Sequence, residues 1–265
     1  MTPCRLQLSP WSILCAGSLA TMALLCCERV LAREAGDPIA LEYTEGDVAG
    51  YTRILSPDGR QTIGTIEYQQ RRRGSALKTV RRARFSDGSS DEDHAEARVG
   101  KTLEAVRGRS IIRNARGQAI VDITIDVERG RITGFTNVDD ERKDYDEEAE
   151  LPRGTYWGPL ISIVLKNFDR NAEGGELVYR TVVATPKPRV LDMIFTRDGV
   201  VEIDRPGVRL EATRYSLKPT VNFLIDPIIQ RLAPDTFFFV HESEPPAIVR
   251  FAGPRNFAGQ EIWIE

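Results

Sequence analysis

The sequence predicts a mainly β protein, built as one large antiparallel sheet with two short apolar helices packed against it. Three observations carry that expectation. Apolar and polar residues alternate through much of the chain, as in strands with one buried face. Turn residues punctuate these runs with connections too short to join anything but antiparallel neighbours. Only two segments have the proline-led, apolar character of short buried helices.

In chain order, Trp11 to Cys27 come first, an apolar run free of charge with Arg5 before it and Glu28-Arg29-Val30-Leu31-Ala32 after it. Val30 and Ala32 occupy the small-residue positions that a signal peptidase reads, which predicts a signal peptide over residues 1–32. The run is also at the lower edge of bilayer-spanning length, so an N-terminal membrane anchor is the alternative. Lipid modification is disfavoured, because Cys26 follows Leu25 and Cys27 follows Cys26 where a small residue is needed. All four cysteines, Cys4, Cys15, Cys26 and Cys27, fall inside this segment. The remaining 33–265 is expected as a single antiparallel β domain without thiols, held by its core. The absence of disulfide spacings and of Asn-x-Ser/Thr acceptors fits a bacterial envelope, periplasmic or secreted, better than a eukaryotic secretory route.

The whole chain carries 36 Lys+Arg and 39 Asp+Glu. Subtracting Arg5, Arg29 and Glu28 leaves 34 and 38 in residues 33–265, a mildly acidic balance that does not suggest a nucleic-acid partner.

Strand signals recur after the leader. Val121, Ile123, Ile125 and Val127 share one face with Asp122, Thr124 and Asp126 on the other, and Leu191, Met193, Phe195 and Val208, Leu210, Ala212 repeat the pattern. Hairpin turns are expected at Pro57-Asp58-Gly59, Arg129-Gly130, Arg197-Asp198-Gly199 and Pro206-Gly207. Their spacing predicts about ten to thirteen strands. One helix is expected from Pro159, with Leu160, Val164 and Phe168 aligned at i, i+4, i+8. A second is expected after the cap and first-turn pair Asp226-Pro227, with Ile228, Ile229 and Leu232 on one side and Pro234 as its stop. Two charged stretches, residues 137–150 with eight carboxylates and residues 87–96, read as solvated loops.

Chemistry is sparse. His94 and His241 have no nucleophile or metal partner at a recognisable spacing, and no hydrolase, zinc-protease or phosphate-loop motif occurs. No cofactor, metal or catalytic residue is expected, and a non-catalytic protein is favoured over an enzyme. The basic run Arg71-Arg72-Arg73, followed by Lys78, Arg81, Arg82 and Arg84, reads either as a charged hairpin guarding a sheet edge or as a peripheral contact for anionic lipid or an acidic partner.

Two arginines fall on apolar strand faces, Arg180 with Val178, Val182 and Ala184, and Arg214 with Val208, Leu210 and Ala212. Each either snorkels from the sheet rim or grips an acidic headgroup beside a greasy cavity. Phe237 and Phe239 face one way while Phe238 and Val240 face the other, so that strand is apolar on both sides. Ordinary core is one reading of these residues. The other makes Trp157, Leu160, Val164, Phe168, Arg180, Arg214, Phe223, Ile228, Ile229, Phe237 and Phe239 a ligand-binding set for a lipid or acyl chain.

Gln61–Tyr68, Arg209–Pro219 and the stretch from Phe237 to Pro254, in this order around the two helices, resemble uncharacterised bacterial envelope proteins related to the lipoprotein-localisation half-barrel fold. The resemblance covers most of residues 33–265. It implies a curved, half-barrel-like sheet with the helices in its hollow and a hydrophobic lipid-binding cavity, and it carries no catalytic residue over. The expected function is an exported envelope protein that binds or carries a lipid-like hydrophobic ligand. The alternative is an envelope scaffold or adaptor that contacts another protein through its sheet edge and charged loops.

Overall fold

The computed structural model describes residues 34–43, 45–138, 141–168, 175–184, 187–205, 208–220, 235–256 and 259–265. The expected leader and second helix, with Phe223, Ile228 and Ile229, lie outside these residues.

The protein is mainly β. A short β1 (Ile39–Ala40) precedes a meander of β2 (Val48–Leu55), β3 (Thr62–Arg73), β4 (Ala76–Phe85), β5 (Ser90–Val99), β6 (Thr102–Arg113), β7 (Ala119–Asp126), β8 (Arg131–Val138) and β9 (Glu141–Glu148). After β10 (Thr155–Tyr156) comes the helix α1 (Leu160–Lys166). A second meander follows: β11 (Glu176–Val183), β12 (Arg189–Arg205), β13 (Val208–Pro219), β14 (Thr236–His241), β15 (Ala247–Pro254) and β16 (Glu261–Ile264). The two meanders join where β16 pairs antiparallel with β2 at Ile264↔Ile54, giving one 16-stranded sheet whose strand order ends at β9 and β10. Every pairing is antiparallel except β10 with β11.

The sheet curves until its β10 end meets β6. Strand β6 pairs with β1 at Ile39↔Leu103 and, further along, with β7 from Arg107↔Asp126. Between those two pairings the Ala105 N–H donates to the Arg153 carbonyl at 2.8 Å. The Tyr156 hydroxyl donates to the Leu103 carbonyl at 2.7 Å and accepts the Ile39 N–H at 2.9 Å. These bonds satisfy backbone groups that would otherwise be buried without partners.

Four expectations are corrected. Among the described residues the strands number 16 rather than about ten to thirteen, and two stretches read as loops are among them. Residues 141–148 form β9, an edge strand exposed at all positions but Tyr145; its charges are tolerated because Asp146 takes a bidentate bond from Arg131 at 2.6 Å and Arg142 lies 3.8 Å over the Phe135 ring. Residues 90–99 form β5, which alternates in burial: Asp91, Asp93, Ala95, Ala97 and Val99 point inward and Glu92, His94 and Glu96 outward. Arg197-Asp198-Gly199 is not a turn but a bulge inside the long β12, where the register against β13 slips by one residue. The Pro57-Asp58-Gly59 turn between β2 and β3 does form, with Gly59 at φ 69° and its Cα packed against the Trp263 ring, where a Cβ would stand 2.8 Å from the indole.

The core lies in the hollow as two clusters. The larger gathers Leu77, Ala95, Leu103, Ala105, Ile123, Ile125, Tyr156, Trp157, Leu160, Val164, Phe168, Tyr179, Phe195 and Tyr215 among others, with α1 in its middle. The smaller holds Ile54, Ile66, Ala83 and Ile262, flanked by Phe85, Phe251 and Ile264. The two meet at Phe238 and Phe251, whose ring centroids are 5.0 Å apart in an edge-to-face contact worth about 0.5–1.5 kcal/mol.

Candidate functional site

Helix α1 is short, seven residues, and could not hold its conformation without packing. It begins after Pro159, whose fixed φ suits a first turn, and ends at Asn167. The Asn167 side chain then ties the helix end to the chain before β2, accepting the N–H groups of Glu42 at 2.9 Å and Tyr43 at 3.1 Å. Leu160 and Val164 are 0% exposed and Phe168 2%, so the expected stripe is core. Trp157 lies directly over Gly108 of β6 and donates its indole N–H to the His94 carbonyl at 3.2 Å. The hollow is therefore filled over β5 to β8.

Over the second meander the described residues fill the hollow less completely. Leu217, Phe238, Ile248, Phe251 and Ile264 all face the hollow by strand alternation and pairing, and each keeps part of its surface exposed. Burying a large apolar side chain fully is worth about 1.5–3 kcal/mol, and these five forgo part of it.

A polar belt separates the two apolar clusters across β4 and β5. Along β4 the inward residues run Leu77, Thr79, Arg81, Ala83, and along β5 Asp91, Asp93, Ala95. Arg81 donates through Nε at 3.0 Å and Nη2 at 2.6 Å to Oδ2 of Asp93, whose Oδ1 accepts the Ser110 hydroxyl at 2.7 Å. Burial opposes the Arg81 charge, but the Asp93 carboxylate beside it prevails and holds the guanidinium above the ordinary arginine pKa. Tyr68, paired with Arg81 across β3, has its phenol pushed well above the usual value by burial. At the next inward position Arg255 grips Asp91 with Nε at 2.9 Å and Nη2 at 2.6 Å, gives Nη1 to Ser89 at 2.9 Å, and lies 3.6 Å over the Phe85 ring. Arg255 follows β15, so this clasp spans the hollow from the second meander to the first.

The remaining candidates among the described residues sit on the other face. Arg180 alternates with the inward Tyr179 and is bound bidentately by Asp192, at 2.7 and 3.2 Å, in an open cleft of ≈ 270 Å³ lined by Glu150, Arg180, Val190 and Asp192. Arg214 donates to Asp198 at 3.0 Å and stands 5.2 Å from the Phe237 ring centroid. Phe239 carries Arg250 at 5.8 Å, and Arg250 also covers Trp263 at 4.9 Å. Thus Trp157, Leu160, Val164 and Phe168 are brought together in the hollow, while Arg180, Arg214, Phe237 and Phe239 are turned away from it. In the sequence Arg81 stands out only as part of the basic cluster that begins at Arg71, and Asp91 and Asp93 only as acidic neighbours of His94 in a charged stretch; nothing there singles out Arg255 or pairs any of these residues.

His94 contacts Glu92 at 2.8 Å and His241 the Glu211 carbonyl at 3.0 Å, both toward the outer face or rim. Among the described residues no group of three or more His, Cys, Asp or Glu side chains converges as metal ligands do, and no helix is long and apolar enough to cross a membrane.

The fold and site together define a class: a large open antiparallel sheet, curved round an apolar hollow that is part filled by a helix and part belted by buried ion pairs. No protein-family model and no curated protein matches the chain. Among solved structures it is similar to the crystal structure of a β-barrel-like protein of domain of unknown function DUF1849 from Brucella abortus, at 8% identity and TM-score 0.42, over 85% of this chain and 95% of that one.

Proposed function

We propose that the protein is a non-catalytic envelope protein, exported after removal of residues 1–32, that binds a lipid-like hydrophobic molecule in the hollow of its sheet, as the lipoprotein-localisation half-barrels do. One observation supports this above the others: the hollow is closed over β5 to β8 but leaves Leu217, Phe238, Ile248, Phe251 and Ile264 part exposed over β13 to β16. Concave apolar surface of this kind, next to a few fixed polar groups, is what small-molecule sites are made of. The test uses a neutral probe, Nile red, displaced by 1-dodecanol. Wild type should bind dodecanol, and Phe251→Ala should weaken it by about fivefold, the weight of roughly 1 kcal/mol of apolar contact. No dodecanol binding by wild type, or equal affinity in Phe251→Ala, overturns the reading.

A second reading, an envelope scaffold, is favoured by β9. This strand ends the sheet order, is exposed on both faces, and lies in a stretch with eight carboxylates. Its outer side pairs with no described strand, and such an edge accepts an added strand from a partner. Loss of dodecanol binding together with crosslinking of an envelope protein to Tyr145 would favour this reading.

A further inference from the structure

Resting on the hollow as the binding site, we infer that Arg81 receives the carboxylate head of the ligand, so that the hollow selects fatty-acid-like amphiphiles over neutral ones. Two arginines face the hollow at the belt, and their hydrogen bonding distinguishes them. Arg255 is fully engaged: Nε and Nη2 on the two oxygens of Asp91, Nη1 on Ser89, and one face of the guanidinium against Phe85. It is a structural clasp. Arg81 spends only Nε and one Nη2 hydrogen, both on a single oxygen of Asp93. Its Nη1 amine and the second Nη2 hydrogen meet no acceptor among the described residues, and its side chain stays 31% exposed against 17% for Arg255.

The open end of this guanidinium is a two-donor fork of the geometry that grips a carboxylate bidentately. It is pre-aimed, because Asp93 is itself fixed by Ser110 and packed beneath Gly158, where a Cβ would come within 3.1 Å of the Asp93 Cβ. Its position also suits a headgroup. Arg81 lies two residues along β4 from Ala83 of the smaller apolar cluster, whose Phe251 and Ile264 are part exposed, so an anion held here has hydrocarbon surface beside it. Charge decides between oxyanions. The belt holds two cations, Arg81 and Arg255, and two carboxylates, Asp91 and Asp93, and is neutral without a ligand. A monocarboxylate leaves one net negative charge in a desolvated place, whereas a phosphate monoester approaches two, and uncompensated buried charge is costly.

The experiment measures displacement of Nile red at pH 7.5 by dodecanoate, 1-dodecanol and dodecyl phosphate. Wild type should bind dodecanoate at least about tenfold more tightly than dodecanol, the weight of a charge-assisted hydrogen bond, and dodecyl phosphate more weakly than dodecanoate. In Arg81→Met/Asp93→Asn, which removes both charges together so that no carboxylate is stranded, the ratio of dodecanoate to dodecanol affinity should fall to about one. Arg60→Gln, at the exposed β2–β3 turn, should keep the wild-type ratio. A wild type that binds the two equally, or a ratio that survives in the double variant, overturns the role of Arg81 while leaving the hollow as a site. Tighter binding of dodecyl phosphate overturns the carboxylate assignment. Failure of dodecanol itself to bind counts against the hollow and takes this inference with it.

Discussion

Gly108→Ala offers the sharpest perturbation of the filled half of the hollow. Gly108 pairs with Ile125 in the middle of the sheet, and its φ is not in the left-handed region, so alanine is conformationally acceptable there. The obstacle is Trp157. A Cβ at position 108 would lie 1.9 Å from Nε1, 2.1 Å from Cε2 and 2.3 Å from Cζ2 of the indole. Ordinary carbon contacts stand at about 3.5–4.0 Å, so the ring must retreat by roughly 1.5 Å. It has nowhere to go without loss, because Trp157 is 3% exposed and its N–H reaches the His94 carbonyl at 3.2 Å. Overpacking of this kind costs about 1–3 kcal/mol and stranding the buried indole N–H about 1–3 more, against a gain of about 0.5 kcal/mol from a less flexible unfolded chain. The net expectation is a loss of about 2–5 kcal/mol in equilibrium urea unfolding followed by far-UV circular dichroism, with the m-value unchanged. Trp157→Leu should cost stability alone but recover part of the loss in the Gly108→Ala background, since the two changes share one contact. A loss below about 0.5 kcal/mol for Gly108→Ala, the scale of ordinary surface changes, would refute the placement of Trp157 over β6.

Three further outcomes follow from the same packing. Leu160→Ala, at a fully buried position of α1, should cost about 2–5 kcal/mol in urea unfolding, whereas Phe251→Ala should cost less because its ring is part exposed and should act mainly on dodecanol affinity. Arg255→Met strands the Asp91 carboxylate at 8% side-chain exposure and should cost about 3 kcal/mol, while Arg255→Met/Asp91→Asn should return close to wild-type stability in the same assay. Asp87 has its carboxyl held below the ordinary value by the Ser89 hydroxyl and then the Ser89 N–H, bonds of 2.5 and 2.8 Å. A depressed folded pKa stabilises above the unfolded value and is lost as pH falls through the folded one. Asp87→Asn should therefore destabilise at pH 7, by an amount that shrinks as pH falls below the ordinary aspartate range, as read by thermal melts along a pH series.

The strand frame was legible because period-two alternation survives wherever one face is buried and the other wet. β7, the first part of β12 and β13 announced themselves through Val121-Ile123-Ile125, Leu191-Met193-Phe195 and Leu210-Ala212. β5 and β9 were hidden by their charge. In β5 the inward residues at 91 and 93 are aspartates, and what makes them tolerable inside is Arg81, 12 residues back, and Arg255, 164 residues on. Nothing local signals a partner at that separation. β9 meets the core only through Tyr145 and needs no longer apolar face, because an edge strand can be carried by its pairing with β8 and by ion pairs. The same limit governs the site. Alternation placed Arg180 and Arg214 on faces with apolar neighbours, but which face turns toward the hollow follows from the curvature of the whole sheet and from where α1 lies. Trp157, Leu160, Val164 and Phe168 were recognisable as a unit because α1 is local.

The proposal that an apolar ligand lies over β13 to β16 is tested most directly by mapping where it sits. A dodecanol analogue carrying a diazirine near its chain end, photolysed in the purified protein and located by peptide mass spectrometry, should label Leu217, Phe238, Ile248, Phe251 or Ile264 and spare Leu160 and Val164. Labelling confined to the outer-face residues Phe237, Phe239 and Trp263, or spread evenly over the surface, would contradict it.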